Sequence, residues 1–254
     1  MKAEDLEDFL QNLGTHGYIG CNVTVPHKER AFALLDRPDA AASRLKAANT
    51  LWLEDGALAG TNTDGYGFLA SLDEQVPDWD ARSGPAVILG AGGAARAVAA
   101  ALAGRWPGAL RIVNRSRPRA IALAGELGLE AEIVDWNARA AALAGAGLLV
   151  NTTSLGMVSS PPLDISLDDL PKPASVCDIV YAPLETPLLA AARARGNAVA
   201  DGLGMLLHQA VPGFARWFGR TPDVTAELRA LIAGDIEHGL ASPGGNDTAG
   251  GDGA

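Results

Sequence analysis

Residues 85–96, Pro85-Ala86-Val87-Ile88-Leu89-Gly90-Ala91-Gly92-Gly93-Ala94-Ala95-Arg96, run from an unbroken apolar stretch through a glycine-rich turn into the alanine-rich segment AARAVAAALAG. The apolar run bounded by glycine reads as a buried strand and the alanine-rich segment as a helix. Gly90, Gly92 and Ala95 then fall on the G-x-G-x-x-G/A spacing, with strand before and helix after, the context in which it cradles a dinucleotide pyrophosphate. Glycines let the backbone approach the phosphates, and the helix N-terminus stabilises their charge. Gly90, Ala91, Gly92, Gly93 and Ala94 are therefore candidate cofactor contacts.

Downstream the pattern repeats. Strands are expected at 109–113, 131–135, 147–152, 175–181 and 198–201, alternating with Ala-rich helical stretches, the signature of a parallel doubly wound sheet. The strand after the glycine turn ends in Asn114-Arg115-Ser116-Arg117-Pro118-Arg119, with no acid for a ribose 2′-hydroxyl and three arginines instead. Guanidinium groups suit a 2′-phosphate through forked, charge-assisted hydrogen bonds, which favours NADP over NAD; the alternative is a solvated basic loop. Asn151-Thr152-Thr153-Ser154 ends a strand at the carboxyl edge of the sheet, where ligands bind in open α/β folds, although such residues also form ordinary turns.

Upstream, residues 73–84 lose periodicity and read as a linker. Before them, ANTLWLE and ALAGTNT flank Asp55-Gly56, the favoured pair for a tight primed turn. That register pairs Leu53 with Leu58 and Thr50 with Thr61, and it gathers Asn49, Thr61, Asn62 and nearby Asp64 at the open end of the hairpin. Earlier still, Leu6, Phe9, Leu10 and Leu13 mark an opening helix, followed by the strand YIGCNVTV and a helix over about 28–35. Lys28 stands in the first turn of that helix, where the macrodipole disfavours a cation. Asp64, in Thr-Asp-Gly before GYGFLASL, reads locally as an N-cap, a role compatible with a second one. Helices over 205–218 and 224–237 close the chain, and the Gly/Ser/Asp-rich tail at 241–254 is expected to be disordered.

The chain has 254 residues, 48% hydrophobic, enough for two ordinary domains. Twenty Lys and Arg against 30 Asp and Glu give a net charge of −10, which argues against nucleic acid or an anionic membrane as partner. Cys21 and Cys177 lack metal-ligand spacing and suit a reducing cytoplasm rather than a disulfide scaffold. No window reaches the length of a membrane span, and the start lacks an export signal.

Taken together, Asn22-Val23-Thr24-Val25-Pro26-His27-Lys28, Ala48-Asn49-Thr50, Asn62-Thr63-Asp64-Gly65, Gly90-Ala91-Gly92-Gly93-Ala94, Asn114-Arg115-Ser116, Asn151-Thr152-Thr153-Ser154-Leu155-Gly156-Met157, Asp178-Ile179-Val180-Tyr181 and Gly202-Leu203-Gly204-Met205-Leu206-Leu207-His208-Gln209 run in the order found in one family. The chain resembles the shikimate dehydrogenases, within the wider shikimate/quinate dehydrogenase group. The resemblance implies reversible NADP-dependent oxidation of shikimate to 3-dehydroshikimate, a step of aromatic amino acid (chorismate) biosynthesis, with quinate or aminoshikimate as alternative polyol carboxylates. It implies Lys28 and Asp64 as the catalytic pair and Thr24, Asn49, Asp64, Tyr181 and Gln209 beside the substrate. It places Gly90 to Ala94, Asn114, Arg115, Ser116, Arg119, Thr153, Gly202 and Met205 around NADP. No metal is implied, and the assembly is a monomer or homodimer.

The expected architecture is a Rossmann-type doubly wound parallel sheet domain at 84–201, plus a smaller α/β substrate domain built from 1–83 and 202–240. The family carries a further strand, helix and strand ahead of the opening helix, with a Ser-x-Ser motif that binds the substrate carboxylate. Only about seventeen residues precede YIGCNVTV here and none forms that motif. The expectation is an N-terminally shortened substrate domain, explained by an upstream start, by a shortened homologue of weakened activity, or by a non-catalytic NADP-binding protein.

Overall fold

In the computed structural model, which describes residues 5–241, the strands divide between a six-stranded and a four-stranded sheet. The chain opens with α1 (Leu6–Gln11), β1 (Gly20–Asn22), α2 (Lys28–Ala33), β2 (Arg37–Pro38), α3 (Ala40–Leu45), β3 (Thr50–Glu54), β4 (Ala57–Thr61) and α4 (Asp64–Gln75). It continues with β5 (Ala86–Leu89), α5 (Gly93–Ala103), β6 (Leu110–Asn114), α6 (Arg117–Leu127), β7 (Ala131–Asp135), β8 (Leu148–Asn151), β9 (Ser175–Asp178), α7 (Pro187–Arg195) and β10 (Ala198–Ala200). Two helices, α8 (Gly202–Phe218) and α9 (Ala226–Ala241), follow. The rest of the expected tail, from 242 onward, lies outside the described residues.

The six-stranded sheet is parallel throughout, in the order β10-β9-β8-β5-β6-β7, the doubly wound arrangement whose ligand crevice lies beyond the carboxyl ends of β5 and β8. Alternation along each strand builds a core on both faces. Ala86, Ile88, Ile112, Leu148 and Val150 face one cluster with Ala95, Val98 and Leu102 of α5. Val87, Leu89, Val113, Leu149 and Val176 face the other with Leu188, Leu189 and Ala192 of α7.

The smaller sheet has the order β1-β3-β4-β2, with the register of its central hairpin as expected: Thr50 opposite Thr61 and Leu53 opposite Leu58. Asp55 (φ 51°) and Gly56 (φ 81°) supply the paired positive φ of a primed turn. Leu6, Leu10 and Leu13 pack with Val23, Ala31, Leu51 and Leu58 in its own core.

Two helices join the lobes. Phe68 and Leu72 of α4 and Met205 of α8 lie in the same cluster as the face of the six-stranded sheet that α5 covers. The expected linker is accordingly shorter than the sequence suggested: 73–75 continue α4, and buried Trp79 follows, stacked on Trp106 with ring centroids 6.0 Å apart. Exposed Asp73 and Glu74 form the last, polar turn of α4 before it ends at Gln75, so no apolar period marks them. Gln75 also clasps the point where the chain leaves the sheet: its amide donates to Asp201 O and accepts from Asp201 N, both at 3.2 Å. The first of the two closing helices, α8, starts at Gly202 rather than 205, because the Asp201 side chain accepts from Leu203 N and Gly204 N and caps it.

Candidate active site

The hairpin and the two helix starts beside it bring the polar residues of the smaller lobe together. Lys28 is the first residue of α2, fixed to the hairpin by Ala48 N donating to Lys28 O at 2.9 Å. Asp64 is the first residue of α4. Its carboxylate accepts from Lys28 Nζ at 2.7 and 2.9 Å and from Asn49 Nδ2 at 2.8 Å. Asp64 is therefore not the N-cap that its local sequence suggested. Thr63 holds that position, and its hydroxyl turns to Asn49 Oδ1 instead of capping. A first-turn carboxylate is favoured by the macrodipole, whereas the ammonium at the α2 start is held by the carboxylate facing it.

The surrounding amides fix Asp64 tightly. Asn49 Oδ1 accepts from Thr63 N at 2.9 Å, and Asn62 Oδ1 accepts from Asp64 N at 3.0 Å. Asn22 Nδ2 donates to Asn49 O and to Thr50 Oγ1, both at 3.1 Å. For Asn22 and Asn62 the sequence offers a single signal, their place at the open end of the hairpin and at the end of the strand beside it. Asp64 is buried (side chain 5% exposed), whereas Lys28 is 22% exposed and faces a cleft. That cleft, about 300 Å³, is lined by Asn22, Val23, Thr24, Lys28, Asn49, Leu206, Gln209 and Ala210. Of those eight, only Lys28 carries an ionisable side chain.

Gln209 reaches the cleft because α4 and α8 touch backbone to side chain: a Cβ added at Gly67 would lie 2.7 Å from Gln209 Cβ and 2.8 Å from Met205 O. Thr24, Lys28, Asn49 and Gln209 are thus brought together with Asp64 behind them. Tyr181 is not among the cleft residues; it follows β9 and is 40% exposed.

The glycine turn forms a second concavity. Gly90 has φ +113°, and a Cβ there would meet Thr152 Oγ1 at 2.7 Å. Gly92 caps α5 and Gly93 begins it, and a Cβ at either would meet nothing within 4 Å. A cavity of about 350 Å³ is lined by Ala91, Gly92, Gly93, Arg96, Arg119 and Glu126, among others. Open space over a glycine turn at a helix start, flanked by a guanidinium, fits a dinucleotide with a phosphorylated ribose. Asn114 Nδ2 donates to Ser116 O at 2.9 Å and shapes the turn that carries exposed Arg115. Arg117 is drawn away to Asp135 (3.5 Å) and to Ile133 O. Thr153 lies across from Gly90, its methyl 3.3 Å from the Cβ position there. Gly202 is pressed against Ile179 O and Met205 is core-buried, and neither lines this cavity.

Comparison with known proteins yields a consistent picture. The family model described as shikimate dehydrogenase substrate binding domain matches residues 1–51, and the one described as shikimate 5'-dehydrogenase C-terminal domain matches 202–232. The chain is 57% identical to the NADP(+) shikimate dehydrogenase of Methylocella silvestris, over 93% of this chain and 84% of that protein. It is 56% identical to that of Mesorhizobium japonicum, over 92% and 83%. Among solved structures, the shikimate 5-dehydrogenase of Thermus thermophilus in complex with NADP(H) and shikimate aligns with TM-score 0.78 and 35% identity, covering 94% of this chain and 85% of that one. The quinate dehydrogenase of Corynebacterium glutamicum in complex with NAD aligns with TM-score 0.83 and 34% identity, covering 91% and 83%.

Proposed function

This chain belongs to the shikimate dehydrogenase family, and from that premise we propose that it catalyses the reversible NADP-dependent oxidation of shikimate to 3-dehydroshikimate, with Lys28 and Asp64 as its acid–base pair. The observation that carries the residue assignment is the contact of Lys28 Nζ with both Asp64 oxygens, 2.7 and 2.9 Å, in a cleft that no other titratable side chain lines. NADP, held by the glycine turn, would supply the hydride acceptor for oxidation and, in its reduced form, the hydride donor for the reverse reaction. The chain itself must handle the proton. Oxidation strips the substrate hydroxyl of its proton and reduction restores it, so a group within hydrogen-bond reach must accept and give it. Lys28 does this at Nζ, and Asp64 fixes where Nζ points.

Recognition of the polyol falls to the neutral groups around the ammonium. Asn49 spends one amide proton on Asp64 and has a second to offer; the Gln209 amide and the Thr24 hydroxyl border the same cleft. Arg115, Ser116 and Arg119, with Asn114 shaping the turn, receive the 2′-phosphate, and Gly90 to Ala94 the pyrophosphate. The family resemblance sets Tyr181 beside the substrate and Thr153 beside the cofactor, and Thr153 faces Gly90 of the glycine turn. Two free cysteines, and no helix long and apolar enough to cross a membrane among the described residues, suit a cytoplasmic enzyme.

The test is formation of the reduced nicotinamide, NADPH or NADH, with shikimate or quinate as substrate and NADP or NAD as cofactor. Shikimate with NADP should be the fastest pair. Faster oxidation of quinate would reassign the substrate, and NADPH binding without shikimate turnover would make the chain a non-catalytic binder.

A further inference from the structure

We propose that Asp178 is a positioning residue that holds the loops leaving β8 and β9 in register with each other and with the glycine turn, so that Thr153 stays opposite Gly90 of the phosphate loop. This rests on the functional reading above. Asn151 and Asp178 end adjacent parallel strands and are partners in register. Both are fully buried.

Asp178 Oδ1 accepts from Asn151 Nδ2 at 2.9 Å and from Val180 N at 3.1 Å, and Oδ2 accepts from Thr186 Oγ1 at 2.8 Å. Asn151 passes the connection on. Its Oδ1 accepts from Thr153 N at 3.0 Å and Thr153 Oγ1 at 2.7 Å, and its Nδ2 donates to Leu155 O at 3.1 Å. The next loop is tied in at Val158 N, which donates to Ala182 O at 3.0 Å. Thr152 Oγ1 donates to Leu89 O at 2.6 Å, just before the glycine turn. One carboxylate thus stands at the centre of a network running from the start of α7, which Thr186 caps, to the strand that feeds the phosphate loop.

The choice of a carboxylate is informative. All three groups that bond it are neutral, and burial pushes its pKa up to about 6, so the fold carries a charge that no cation compensates. An asparagine would remove that charge. It would also present an amide NH₂ to Thr186 Oγ1, which already accepts from Leu189 N at 3.3 Å, and the three-donor junction would be lost. Departures from local economy of this kind concentrate where geometry serves a ligand.

The experiment compares Asp178→Asn, Thr186→Val and Thr186→Ser with the parent by thermal unfolding, by NADPH binding and by steady-state kinetics with shikimate. We expect Asp178→Asn to melt no lower than the parent at neutral pH, yet to bind NADPH and to turn over shikimate with affinity and kcat/KM each reduced about tenfold, the loss of roughly one charge-assisted hydrogen bond. Thr186→Val should show the same direction more weakly, and Thr186→Ser should restore parental values. A merely structural role predicts the opposite split, a lowered melting temperature with parental constants, and that result overturns the proposal. Should Asp178→Asn not fold, parental NADPH affinity and kcat/KM in Thr186→Val overturn it. A parent that binds NADPH without oxidising shikimate refutes the functional reading, and the NADPH affinities then decide this inference alone.

Discussion

Lys28 stands where a helix start disfavours its charge, and the structure shows what offsets that: a buried carboxylate touching Nζ with both oxygens. Removing the amine while keeping the stem, Lys28→Met, should leave the fold formed but less stable, because the buried Asp64 carboxylate loses its cation and keeps Asn49 Nδ2 as its side-chain donor. It should lower kcat by about 10²–10⁴, the usual worth of a positioned acid–base group; circular dichroism and single-turnover rates check both halves. Asp178 makes a separate prediction about stability. Its pKa rises from 3.8 to about 6 on folding, because burial penalises the charge. A raised carboxyl pKa means that the folded state binds the proton more tightly. The group's contribution is therefore fully present below about pH 4 and is lost as pH climbs through 6. Relative to Asp178→Asn, the parent should lose about 3 kcal/mol of unfolding free energy between pH 4 and pH 7, by the conversion of about two pKa units. Urea titrations at each pH would measure it, and parallel curves would refute it.

At the scale of elements, function depends on how closely α4 and α8 approach. Gly67 on α4 and Gly204 on α8 leave no room for a Cβ; at Gly204 it would meet Ser71 Oγ at 2.3 Å. Gly67→Ala must spread the helices against backbone atoms and should cost about 1–3 kcal/mol. Because Gln209 is what the new methyl strikes, KM for shikimate should rise more than KM for NADP, a split that initial rates would resolve. The sequence made some of these elements plain and hid others, for identifiable reasons. The strand and helix alternation after residue 85 was legible because each strand is a short, pure apolar run and each helix an alanine-rich one, and the hairpin because Asp55-Gly56 admits few turns. The short β2, Arg37–Pro38, was not, since two residues with a proline carry no period and pair only because β4 lies beside them. The site divided in the same way. The gathering of Lys28, Asn49, Gln209 and Asp64 was legible through motifs, while the part played by Asn22, Asn62 and Asp178 depends on hydrogen bonds between segments 15 to 28 residues apart that no local pattern announces.

For the whole molecule the question is how a chain of net charge −10 attracts a cofactor more acidic than NAD. The local field must oppose the global one. Three arginines follow β6, but the fold does not use them alike: Arg119 borders the cavity over Gly92 and Gly93, Arg115 is exposed on the turn, and Arg117 is committed to Asp135. Alanine at 115 or 119 should therefore raise KM for NADP about 10–100-fold, the worth of a charge-assisted hydrogen bond, and leave KM for NAD nearly unchanged. Alanine at 117 should alter neither by more than a small factor. Salt separates this account from a general loss of structure. Guanidinium contacts at the rim of a crevice are screened over about 8 Å at physiological ionic strength, so NADPH affinity should fall with added salt more steeply than NADH affinity. In Arg119→Ala the two salt slopes should converge. If they remain as far apart as in the parent, discrimination of the 2′-phosphate lies elsewhere than in the turn after β6.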